Sequence, residues 1–132
     1  PWQNFNLWLL IARNKWKHDD LLRVARKRIE EDVLQPEVPA IFIYLRCVGE
    51  ENLLRPLIKT FKSSWPYYHQ RNFLLATSTF ERDDFKPIHD ELGAKLKGTV
   101  NRALSIIKEG LPLQTMEPTS LFDIYDEVSP YD

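Results

Sequence analysis

Glycine is scarce. The four residues, Gly49, Gly93, Gly98 and Gly110, never cluster, which excludes a Gly-rich loop that cradles phosphate. Cysteine is scarcer still: Cys47 stands alone, so no internal disulfide framework exists. Its apolar flanks fit a buried structural thiol in a reducing, intracellular compartment, and no neighbouring base in sequence marks it as a nucleophile. Long hydrophobic runs are also missing. Residues 7–12 and 40–48 are the most apolar stretches, and both fall far short of the roughly 20 residues a membrane helix needs. No signal peptide and no exact internal repeat is visible. Net charge is close to nil, at −1, so the whole protein has no pull toward nucleic acid or an anionic membrane. The chain starts at Pro1 and its single methionine is Met116, which points to an excised domain of a larger protein or assembly, or to a processed product.

What is present is aromatic. Four Trp, five Tyr and seven Phe in 132 residues argue for one folded domain with a real core. Residues 40–48 are apolar except for Arg46 and should sit at its centre. Their composition favours a strand, yet a buried helix reads the same way. Proline placement decides for helix. Pro39, Pro56, Pro66 and Pro87 each fall near the start of an apolar segment, where a helix tolerates proline. Asn52, Ser64 and Asp83 or Asp84 then serve as caps.

The expected fold is all-α, with five to six helices in antiparallel hairpins over residues 1–110 and an extended acidic, aromatic tail over 111–132. Helices are predicted at 1–15, at 21–34 behind an Asp19 or Asp20 cap, at 40–48, 53–62 and 66–79, and along a seam of Phe85, Ile88, Leu92, Leu96, Val100, Ala103 and Ile107. Helix 21–34 places Leu21, Leu22, Ala25, Ile29 and Val33 on one face; helix 53–62 does the same with Leu53, Leu54, Leu57, Ile58 and Phe61. The alternative is α/β, with strands near 40–48 and 71–79. On that alternative YLRCVGEENLLRPLIKTF resembles the opening strand–loop–helix of a nucleotide-sugar glycosyltransferase, although that family's DxD metal motif is absent.

For function, the leading expectation is a non-enzymatic protein–protein interaction module or scaffold. Its partner would be another protein chain or a second copy, and neither a cofactor nor a membrane is expected. Candidate contact residues are Trp2 and Trp8 on the apolar first helix, Trp65, Tyr67 and Tyr68 at a helix corner, and Leu121, Phe122, Tyr125 and Tyr131 in the tail. The tail carries five acids, three prolines and no Lys or Arg, so it should be pinned on its own domain or on a neighbour.

A second reading is nucleic-acid contact through Arg23, Arg26 and Lys27, with Trp16 available for stacking. Opposite-charge spacings (Arg26 with Glu30, Lys27 with Glu31, Arg28 with Asp32) should half-neutralise that face. A third is metal-dependent hydrolysis. The steps His18-Asp19 and His89-Asp90, the latter within PIHDELG, resemble the HD-type metal phosphohydrolases, with His69 as a further imidazole. That likeness implies a metal that activates water.

Overall fold

A computed structural model describes residues 2–77 and 79–92. Five α-helices are present among them: α1 (Trp2–Arg13), α2 (Asp19–Glu31), α3 (Val38–Cys47), α4 (Tyr67–Ala76) and α5 (Lys86–Leu92). A 3₁₀ segment (Glu51–Thr60) joins α3 to α4, and a short 3₁₀ turn (Arg82–Phe85) leads into α5. The fold is all-α, and no strand occurs among the described residues. The α/β alternative is thereby overturned: 40–48 lies in α3 with its flanks, and 71–76 lies in α4. The glycosyltransferase likeness falls with it, since helix and 3₁₀ segment stand where that family has strand and helix.

α3 is the hub. Every residue from Val38 to Leu45 is buried, and Pro39 occupies the first turn, where its missing N–H costs nothing. α1 and α4 pack on α3, and α2 and the 3₁₀ segment also touch it. Phe42 of α3 meets Phe73 of α4 edge-on at 5.3 Å, and Trp65 packs against Phe61 at 5.0 Å. This aromatic cluster fills the space between the two helices. Buried Asn72 donates to the Pro39 carbonyl at 3.0 Å, tying α4 to the start of α3. α2 is more peripheral: only Ala25 is fully buried, with Leu21, Leu22 and Ile29 partly covered along the predicted face and Val33 partly covered just past the helix end.

Element ends differ from expectation for local reasons. The α2 cap is His18, whose Nδ1 accepts the Asp20 N–H at 3.1 Å, in place of Asp19 or Asp20. α2 stops at Glu31 because the Asp32 carboxylate accepts the Leu34 N–H at 3.0 Å, which turns the chain before Pro36 is reached. Residues 51–60 wind as 3₁₀ because Pro56 falls in the segment interior. In an α-helix its ring would clash with the Asn52 carbonyl. The caps expected at Asn52, Ser64 and Asp83 or Asp84 fall instead to Glu50, Pro66 and Glu81, the last forming a capping box with Asp84.

α1 and α3 close with the same motif. Trp16 N–H donates to the Ile11 carbonyl at 3.2 Å and Lys15 N–H to Ala12 at 3.0 Å; Glu50 N–H donates to Leu45 at 2.8 Å and Gly49 N–H to Arg46 at 3.3 Å. The residue at the bend has positive φ in both, +53° at Lys15 and +76° at Gly49. In the predicted C-terminal seam, Phe85 and Ile88 are buried; the seam beyond Leu92 and the whole 111–132 tail lie outside the described residues.

Candidate interaction surface

α1 divides its apolar residues between two faces. Phe5, Trp8, Ile11 and Ala12 point into the core, while Leu7 and Leu10 remain 52% and 51% exposed one turn apart. Trp16, just past the helix, is 54% exposed. Its side chain is held at the surface because its backbone is fixed at both ends, by the N–H bond to Ile11 and by Tyr44 Oη donating to the Trp16 carbonyl at 2.8 Å. Residues 1–18 contain no Asp or Glu and carry Arg13, Lys15 and Lys17. Among these, Lys17 pairs with Glu50 at 3.0 Å.

Of the contact residues expected from sequence, Trp8 and Trp65 are buried and offer no ring to a partner. Trp8 lies 5.2 Å from the Tyr44 ring and donates its indole N–H to Glu37 Oε2 at 3.0 Å. Glu37, itself buried, also receives Arg28 Nε at 3.2 Å, so one carboxylate joins α1, α2 and the start of α3. Trp65 sits inside the Phe42–Phe61–Phe73 cluster. Tyr67 and Tyr68 are half-buried on the first turn of α4 and meet edge-on at 5.6 Å. The Arg71 guanidinium lies 4.7 Å from the Tyr68 ring centre and 5.7 Å from that of Tyr67. Trp2 opens α1; its side chain, and Leu121, Phe122, Tyr125 and Tyr131, lie outside what the structure describes.

Arg23, Arg26 and Lys27 do share one exposed face of α2, in a shallow hollow with Leu22, Asp19 and Glu30. Arg23 bonds Asp20 at 2.7 Å and Lys27 approaches Glu31 at 3.8 Å. Two expected pairs do not form. Arg28 turns to Glu31 and Glu37 instead of Asp32, and among the described residues Arg26 and Glu30 make no ion pair. Arg26 and Glu30 also border a groove of about 430 Å³ between α2 and the 3₁₀ segment, lined by Ile29, Asn52, Leu53, Pro56 and Leu57. The spacing of the leucines marks the apolar side of their segment, but the groove has no mark in sequence because it arises from the facing of two elements.

The histidines are kept apart. His18 caps the start of α2, whereas His69 Nε2 lies 3.1 Å from the Gln35 carbonyl beyond the other end of that helix, about 20 Å away along its axis. Among the described residues no three His, Cys, Asp or Glu side chains gather as a metal site; the His89 side chain is outside them. Burial pushes the Cys47 thiol up to about 12, with Arg46, Arg13 and Lys15 opposing, so it holds its proton at neutral pH. No helix among the described residues is long and apolar enough to cross a membrane. The class of protein defined here is an all-α domain with an outward apolar helix face and a separate groove between α2 and the 3₁₀ segment. No family model, curated protein or solved structure matches the chain.

Proposed function

We propose that this chain is a non-enzymatic protein-interaction module whose contact surface is the outward face of α1, continued by Trp16. The observation that carries the reading is the half-exposure of Leu7, Leu10 and Trp16 on a stretch with three cations and no acid. Large apolar side chains held in water on a regular helix face are unfavourable unless something covers them, and tryptophan is a common anchor of such contacts. Asn4, Asn6 and Asn14 give the face a polar margin. The partner it fits is a protein with an apolar patch edged by carboxylates.

The test is the native mass of the chain recovered from its source, by native mass spectrometry, with any bound component identified. The paired substitution Leu7→Glu and Leu10→Glu, at exposed positions, should release that component while leaving the melting temperature unchanged. A bare monomer, or a bound component that the paired variant retains, would overturn the reading.

A further inference from the structure

We propose that the groove between α2 and the 3₁₀ segment is the seat of the chain's own acidic, aromatic segment, residues 117–132. The proposal goes beyond the α1 reading and concerns a different surface. Its floor is apolar: Ile29, Leu53 and Leu57 are each left partly exposed, with Pro56 beside them. Its volume of about 430 Å³ gives room for large side chains. Its rim holds Arg26, a guanidinium without an ion pair among the described residues, with Arg23 one turn before it and Lys27 next to it in the chain.

The occupant matches in charge and in pattern. Residues 117–132 carry Glu117, Asp123, Asp126, Glu127 and Asp132 and no cation, interleaved with Leu121, Phe122, Ile124, Tyr125, Val128 and Tyr131. Such a segment lays apolar side chains on a groove floor and carboxylates on a basic rim. Glu30, which makes no ion pair among the described residues, repels carboxylates from its own part of the rim and so directs them to Arg26. Position favours the same chain. α5 packs on the 3₁₀ segment, and Ser63 N–H donates to Glu91 at 2.9 Å, so the described chain ends on an element that walls the groove. The 24 residues from 93 to 116 can span about 80 Å when extended, so reach imposes no restriction.

The test uses the full chain. Cys47 is buried and is the sole cysteine, so the variant Ser129→Cys accepts a nitroxide label at one place. Paramagnetic loss of methyl intensity is then read by NMR. The expected result is loss at Ile29, Leu53 and Leu57 and not at Leu7 or Leu10. It should persist when labelled chains are diluted with unlabelled ones, and should disappear with Arg26→Glu. Four results would overturn the proposal: loss at Leu7 and Leu10, which moves the segment to α1; loss that vanishes on dilution, which assigns it to a second copy; loss unaffected by Arg26→Glu; or no loss at all. Because the α1 substitutions do not touch the groove, this outcome and that of the α1 test are separable.

Discussion

Lys15 and Gly49 do the same backbone work with different chemistry. Each occupies the left-handed residue of a helix-ending motif, at φ +53° and +76°. For a residue with a Cβ that conformation costs roughly 1–2 kcal/mol, which glycine avoids. Lys15→Gly should therefore stabilise the fold by about 1 kcal/mol, less whatever its side chain contributes through its own interaction. Gly49→Ala should destabilise by a similar amount. A Cβ at Gly49 meets nothing within 4 Å, so the loss would be one of conformation and not of packing. Urea unfolding of the two variants checks both, and changes of the same sign would refute the shared account. Only one of the two positions announces itself in sequence. A glycine after an apolar run is a familiar stop signal, but a lysine at the same point of α1 reads only as surface charge.

His69 belongs to the element scale, because it joins α4 to the loop between α2 and α3 through the Gln35 carbonyl. A carbonyl only accepts, so Nε2 carries the proton there, and Nδ1 is buried without a hydrogen-bond partner among the described residues. Burial lowers the pKa of this imidazole below its ordinary 6.5, against weaker opposing effects of the Gln35 and Val33 backbone and the Asp32 charge. The unfolded chain then binds a proton that the folded chain refuses. Stability is complete above about pH 6.5 and falls as pH drops through that value toward the folded pKa. Chemical denaturation between pH 7.5 and pH 5 should show this decline, and His69→Gln should flatten it. An equal decline in the variant would show that other groups cause it.

The same scale shows what sequence could and could not say. The apolar run at 40–48 marked the hub, and the proline at its first turn marked it as helix. The faces of α2 and of residues 53–61 followed from spacing alone. Caps did not follow, because Asp19, Asn52 and Ser64 compete with neighbours whose success depends on the incoming backbone angle. Nor did the site. Trp8 and Trp65 look like contact residues until Glu37 and Phe61 are seen to enclose them. Trp8 and Glu37 are 29 residues apart, and no local pattern links them.

At the scale of the whole molecule, the central question is how stability is shared around α3. That helix is packed by α1, α4, α2 and the 3₁₀ segment, so it cannot open without exposing all of them. α2 buries only Ala25 completely and joins the rest through partly covered side chains and a bond to Glu37 from Arg28, whose side chain is itself 43% exposed. Local opening is therefore expected to begin at α2, and amide hydrogen exchange should report it. Amides of α3 should exchange only by global unfolding, and those of α2 faster, by a smaller opening that is less sensitive to denaturant. Ile43→Ala, which removes a side chain with no exposed surface, should cost about 2–5 kcal/mol. It should lower the protection of α1, α3 and α4 by the same free energy, while the local opening of α2 stays nearly unchanged. Equal protection across α2 and α3 in the unaltered chain would instead mean that the groove wall is as firm as the core. A seat made from such a wall would have to accept its occupant without yielding.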